Sequence, residues 1–243
     1  MKTPILNFIA LVFATLLTAC SGGGDATAPA ETTTPTETTG GTGGTDGTTT
    51  TLVTTTCTPA PTIASRYARV FKGCDSAGVA QYYDLTECVR DNTTGLIWQG
   101  QMPPGSGLRA SDQIKTNFDS TTGNQDYNGG SPQPATSAQI ADLSNSIGYR
   151  NAVNGTNLCG SNAWRLPTKE ELQGLIKSTE SPKIDNTWFP NTQNGRYWTT
   201  STYASDANYT YYVDFGSGVT SFDVRGNNVL GTVVGRSKVR LVH

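Results

Sequence analysis

Histidine is nearly missing from this 243-residue chain: the one present, His243, is the final residue. A Ser-His-Asp or Cys-His relay needs an imidazole set against a nucleophile, so neither is expected here. Close C-x-x-C pairs are also lacking, and with no usable histidine a zinc site of the usual spacing is not expected. Basic residues form no stripe; 17 Lys and Arg stand against 19 Asp and Glu, which sets nucleic acid aside as a partner. Tandem repeats are absent, and so is the Gly-X-Y period that a collagen helix requires. The apolar run Ile5 to Leu17 is too short to span a bilayer comfortably.

What is present begins with an export signal, residues 1–19. Lys2 gives it a positive start, the apolar run follows, and Leu17-Thr18-Ala19-Cys20 resembles the lipobox of bacterial lipoproteins. That resemblance implies cleavage before Cys20, a lipid on its thiol, and a protein anchored to a membrane rather than spanning it. Ser21 follows where a retention signal would carry Asp, which implies sorting to the outer membrane, on its periplasmic face or at the cell surface. Residues 20–56 are Thr, Gly, Pro and Ser with almost nothing to bury. Such a composition cannot offset the entropy of ordering, so a disordered tether is expected, with an r.m.s. span on the order of 30–35 Å.

Residues 57–243 suffice for one domain with a real core. With Cys20 lipidated, Cys57, Cys74, Cys88 and Cys159 remain, and four cysteines allow three pairings. The favoured one is Cys57–Cys74 with Cys88–Cys159, which ties the start of Val89-Arg90-Asp91 to the approach to Trp164.

Along this domain, Ala68 to Phe71, Val79 to Tyr83 and Leu96 to Trp98 read as short strands, with Asp91 to Gly95 as a turn. Gly100 to Pro134 reads as loop. Within it, Asn124 to Gly129 resembles a calcium loop, but Ala135 stands where an EF-hand needs its twelfth-position Glu. A turn-rich loop needs no ligand there; the alternative is an irregular calcium site at Asp126 and Asn128. Ser137 to Ile147 predicts a helix behind Thr136, stopped by Gly148. Thr168 and Glu171 form a capping box for a second helix, with Leu172, Leu175 and Ile176 on its apolar face and Lys177 in its last turn. Tyr197 to Ser201, Tyr209 to Phe215, Thr220 to Val224, Thr232 to Val234 and Lys238 to Val242 predict strands, with Asp223 to Gly231 as a polar loop.

Four segments carry a family resemblance: Asp91-Asn92-Thr93-Thr94-Gly95-Leu96-Ile97-Trp98; Trp164-Arg165-Leu166-Pro167-Thr168 with Glu171-Leu172; Tyr197-Trp198-Thr199-Thr200-Ser201; and Val239-Arg240-Leu241-Val242. In this order they resemble the C-terminal domain family of Legionella collagen-like adhesins, over about residues 88–243. That family is distantly similar to C-type lectin and formylglycine-generating-enzyme folds. The resemblance implies an α+β fold: a compact C-type-lectin-like domain with two helices flanking a small twisted antiparallel sheet, stapled by disulfides. In collagen-like adhesins the domain binds sulfated polysaccharides after collagen repeats, which this chain lacks.

The formylglycine-generating relatives use a cysteine pair near their C-terminus, and none lies after Cys159. Glu170 and Glu171 are adjacent and diverge by about 100° on a helix. Asp185, Asp206, Asp214 and Asp223 show no spacing that would pair two as glycosidase carboxylates. A non-catalytic binding module is therefore expected, adhesin- or lectin-like, recognising a glycan or another envelope polymer. The alternative is a structural or protein-interaction domain in an envelope or secretion assembly, and a hydrolase is the least favoured reading. Candidate ligand residues are Tyr203, Asp206, Asn208, Tyr209, Arg225, Asn227 and Asn228, on loops between the C-terminal strands. The plain readings beside these are a sheet-face or rim position for each Tyr and a solvated turn for Arg225 to Asn228. Trp188 is either a core plug or a ligand platform. Trp98, Trp164 and Trp198 are expected in the core, and Arg165 in a buried pair or backbone contact rather than a ligand contact.

Overall fold

The structure, a computed structural model, describes residues 57–59, 65–129, 131–229 and 232–243. The expectations for the signal, for Cys20 and for the tether lie outside these residues. Among the described residues no helix is long and apolar enough to cross a membrane.

Strands β1 (Tyr67–Arg69), β4 (Cys88–Asp91) and β5 (Ile97–Gln99) form one antiparallel sheet in the order β1-β4-β5, and β2 (Phe71–Cys74) pairs with β3 (Ala80–Tyr82). Strands β8 (Arg196–Thr202), β9 (Tyr209–Asp214) and β10 (Thr220–Val224) form a second antiparallel sheet, ordered β10-β9-β8. A third has the order β12-β11-β6-β7, built from β6 (Asn124–Asn128), β7 (Ser131–Pro134), β11 (Gly226–Val229) and β12 (Thr232–Val234); β11 runs parallel to β6. The fold is thus α+β, with several small sheets where a single one was expected. Two stretches expected as loop became strand: β6 pairs with the adjacent β7, β11 with the adjacent β12, and the parallel β6–β11 contact joins the two pairs.

The last segment, Ser237–His243, knits the first two sheets together. Ile97 and His243 exchange both backbone hydrogen bonds, Gln99 N–H donates to Leu241 O, and Trp198 N–H donates to Lys238 O. Arg165 and Val242 exchange another such pair. The four motif segments of the sequence therefore meet through backbone hydrogen bonds and bridges around the terminal segment.

Neighbouring residues along these strands point to opposite faces, so each strand feeds two cores. Tyr67, Val89, Trp98, Tyr197, Val213 and Val242 enter one cluster, with Leu172, Leu175 and Phe189. Cys88, Trp164, Trp198, Tyr212, Val239 and Leu241 enter the other, with Tyr149 and Val153. Trp98, Trp164 and Trp198 are all buried, as expected. Disulfides Cys57–Cys74 and Cys88–Cys159 are both formed.

The helices depart from expectation. Among the described residues three short α-helices occur: α1 (Ser137–Ala141), α2 (Ser146–Gly155) and α3 (Lys169–Gln173). The predicted helix over 137–147 breaks at Asn145, whose buried amide accepts from Phe118 N–H and Thr116 Oγ1 and donates to Phe118 O and Ile140 O. Gly148 is not a stop; it lies inside α2, where a Cβ would collide with the carbonyl oxygens of Ala141 and Asp142. Helix α3 keeps its capping box: Thr168 Oγ1 accepts from Glu171 N–H at 3.2 Å, and Glu171 Oε2 accepts from Thr168 N–H at 2.8 Å. It ends at Gly174, however, so Lys177 lies beyond the helix and pairs instead with Glu180 and Asp185.

Candidate functional site

Register decides which side chains β9 and β10 present together. Tyr211 pairs with Phe222, Tyr209 with Val224 and Val213 with Thr220. Tyr197 of β8 lies opposite Val213, and both are buried in the first core. The same face of this sheet continues from Val213 to Tyr211 and Tyr209, with Phe222 beside them, where the core has run out. Phe222 is 40% exposed and Tyr203, Tyr209 and Tyr211 are partly so.

These rings form one cluster. Tyr203 stacks on Phe222 with centroids 3.8 Å apart and planes 15° apart. Tyr209 and Tyr211 meet Phe222 edge-on at 5.8 and 6.1 Å, and Tyr127 of β6 joins through Tyr209 at 6.4 Å. Lys169, at the start of α3, holds its ammonium 4.5 Å from the centre of the Tyr211 ring and 3.2 Å from Glu170. A cation over the electron-rich ring face is favourable by about 0.5–1 kcal/mol at exposed sites. Burial first, and then the neighbouring Tyr209 hydroxyl, push the Tyr127 hydroxyl above its ordinary value.

The loop 203–208 is held as a tight turn. Tyr203 N–H donates to Tyr209 O, Asn208 N–H donates to Asp206 Oδ1 at 2.9 Å, and Arg225 N–H donates to Asn208 O. Tyr203, Asp206, Asn208 and Tyr209 therefore do come together at one end of the β8–β10 sheet.

Arg225 corrects the sequence reading. It is 2% exposed, so it is neither a ligand residue nor part of a solvated turn. Its guanidinium donates to Ala207 O, Asn117 O and Thr202 Oγ1 and pairs with Asp119 at 2.8 Å. Five donors in a rigid fork suit such a junction, and here they clamp both ends of the 203–208 loop from beneath. Asn227 and Asn228 are corrected too: their backbones belong to β11, opposite Tyr127 and Asn128 of β6, rather than to a loop.

The calcium-loop expectation for Asp126 and Asn128 is overturned in its structural premise. Both lie in strand β6, and the buried Asp126 carboxylate accepts from Gln139 Nε2 at 2.8 Å. No group of three His, Cys, Asp or Glu side chains among the described residues could hold a metal ion. Arg165 makes the expected pair, two-pronged with Glu171 at 2.8 and 2.7 Å, but its side chain is 43% exposed rather than buried, because it lies at the open start of α3. Trp188 is half-buried against the first core and makes no ring contact with the cluster.

Sequence reasoning missed Tyr211, Phe222 and Tyr127. For the first two the signal was available: Tyr209-Thr210-Tyr211 alternates, and a turn at Phe215 to Val219 returns Phe222 to the same face. Tyr127 depends on the parallel β6–β11 pairing, which carries no local signal.

Fold and ring cluster together define a disulfide-stapled α+β domain with one aromatic sheet face left open. The chain belongs to the Lcl C-terminal domain family, whose model matches residues 87–235. A surface-binding role is compatible with that membership. No curated protein and no solved structure matches the chain. The family match stops short of Val239 to Val242, although that segment is central to the packing.

Proposed function

We propose that this protein is a non-catalytic, adhesin-like binding module, lectin-like in arrangement, that recognises a glycan on its β8–β10 ring face. One observation carries the reading: four rings, Tyr203, Tyr209, Tyr211 and Phe222, share an open sheet face beside a polar loop. The C–H bonds on one side of a pyranose form an apolar patch that stacks on such rings, while its hydroxyls reach neighbouring amides and carboxylates. Asp206, Asn208 and Glu170 supply those polar groups. In the same proposal, Cys20 carries lipid and residues 20–56 tether the domain at the outer membrane.

A glycan array run with and without calcium tests the reading. Phe222→Ser and Tyr211→Ala should each weaken binding about tenfold, equivalent to about 1.4 kcal/mol, with an unchanged Tm. A protein-interaction role would be supported instead by an array without hits and a stoichiometric envelope protein recovered on the wild type but not on Phe222→Ser. Exposed Phe222 and Val219 on the edge strand β10 and its turn favour that second reading.

A further inference from the structure

Away from the ring face, a cleft of about 360 Å³ opens between β1 and the chain that follows α3. That is at the small end of the roughly 300–1,000 Å³ range of ligand pockets, room for one ring-sized group. Its apolar walls are Tyr67, Trp188, Leu175 and Ile176. Tyr67 is only 6% exposed, set edge-on to Phe189 at 5.1 Å and beside Trp188 at 6.2 Å.

Two neutral polar groups on the residues that line this cleft are free. Neither the Tyr67 hydroxyl nor the Trp188 indole N–H makes a hydrogen bond among the described residues, and neither is sealed from solvent. Burial pushes the phenol up to about 12, so it remains a neutral donor at ordinary pH.

The charged groups of the cleft are, by contrast, already paired. Arg66 binds Asp91 at 2.9 Å and donates to Gly174 O at 2.8 Å. Lys177 binds Glu180 at 2.6 Å and Asp185 at 3.0 Å, and Asp185 also accepts from Thr187 and Trp188 N–H. These charges already have counter-ions, so an ionic ligand would compete with them for its contacts, whereas a neutral ligand would not. A purely apolar ligand would leave the Tyr67 hydroxyl and the Trp188 N–H without partners. The chemistry that satisfies all three constraints is a ring with an apolar face and neutral hydroxyls at its rim.

We infer that the Tyr67–Trp188 cleft is a binding site for a single neutral hexopyranose residue, separate from the ring face of β8–β10. The indole and the Leu175–Ile176 wall take the apolar face of the sugar. Tyr67 Oη and Trp188 Nε1 bond its hydroxyls, and the paired Arg66 and Lys177 stay as they are. This site does not depend on the ring face binding anything.

The test titrates the full chain with methyl glycosides of glucose, galactose and mannose, and with glucuronate and glucosamine as charged counterparts. The Trp188 indole N–H resonance is the readout, assigned through Trp188→Phe. One of the neutral glycosides should shift that resonance at millimolar concentration. Tyr67→Phe removes only the hydroxyl and keeps the ring in its packing, and should weaken that binding about tenfold with an unchanged Tm. Phe222→Ser should leave it unaffected. The inference is overturned if no neutral glycoside moves the resonance up to tens of millimolar, if Tyr67→Phe binds as wild type does, or if glucuronate or glucosamine binds more tightly. Loss of binding on Phe222→Ser would also overturn it, by placing the sugar on the other face.

Discussion

Arg225 and Asp119 form an ion pair at 2.8 Å in which the guanidinium is 2% exposed and the carboxylate 23%. Burial alone would raise the Asp119 carboxyl. The amides of Thr122 and Thr121 and the Arg225 charge outweigh it and hold the group below its ordinary 3.8. A carboxylate depressed in the folded state contributes stability above its unfolded value and loses it as pH falls through the folded one. Thermal melts of wild type should therefore fall more steeply than those of Asp119→Asn from about pH 4 downward. At neutral pH, Arg225→Ala should cost about 3 kcal/mol, because three hydrogen bonds and the pair go with it. Equal acid slopes in wild type and Asp119→Asn would show that the pair is too well solvated to matter.

Gly148 and Gly155 stand in the same helix with opposite demands. At Gly148 a Cβ would meet the Ala141 and Asp142 carbonyl oxygens and lie 2.6 Å from the Asp142 carbonyl carbon; at Gly155 nothing lies within 4 Å. Gly148→Ala must push α2 off the end of α1, and backbone cannot yield cheaply, so a loss of about 3 kcal/mol or more is expected. Gly155→Ala should be neutral or stabilise by up to about 1 kcal/mol. Urea midpoints of the two variants check this, and a Gly148→Ala protein as stable as wild type would mean the helices part freely.

What the chain disclosed beforehand follows from how local each signal is. The Thr168–Glu171 box, the Asp91 to Gly95 turn and the hairpin from Tyr209 to Val224 are written within a few residues, and all three formed. The length of α3 was misjudged because Leu172, Leu175 and Ile176 keep helical spacing while the chain turns away at Gly174. Strands β6 and β11 escaped because each is polar and lies among turn-forming residues, and the contact that joins them spans about a hundred residues of sequence. Arg225 was misread for a related reason: polarity in a Gly-Asn-Asn context signals a turn, and nothing nearby reveals that Asn117, Asp119 and Thr202 close over it. Tyr203 and Tyr209 were found from the loop they flank, whereas Tyr211 and Phe222 needed register.

The two disulfides should differ in worth. Cys57–Cys74 closes 17 residues of sequence and Cys88–Cys159 closes 71, which the chain-entropy model converts to about 3 and about 4 kcal/mol. Cys88 is also fully buried in the second core, beside Tyr149 and Trp164, so Cys88→Ser adds a polar group where none is solvated. The Cys88→Ser/Cys159→Ser protein should melt well below the Cys57→Ser/Cys74→Ser protein. Calorimetry of both double variants decides it; the reverse order would place the more valuable staple at the start of the domain.

Arg240 is fully buried and has no carboxylate partner among the described residues. Its guanidinium donates to Gln99 O at 2.7 Å, to Gln101 Oε1 at 2.8 Å and to Thr192 Oγ1 at 2.7 Å, and lies 5.0 Å from the centre of the Phe189 ring. Neutral oxygens and a ring face thus carry the whole charge, and burial pulls the group below its ordinary value. Arg240→Ala leaves three acceptors dry and a cavity between the terminal segment and β5, for an expected loss of about 3–5 kcal/mol. Arg196 offers the contrast. It pairs with Asp223 at 2.7 Å but is 47% exposed, and solvent screening should hold Arg196→Ala within about 1 kcal/mol. Urea unfolding with a common m-value measures both. If the two variants lose the same stability, the Arg240 side chain is not the bolt between Gln99, Gln101 and Thr192 that its geometry describes, and the terminal segment is held by its backbone bonds and by Val239, Leu241 and Val242 in the cores.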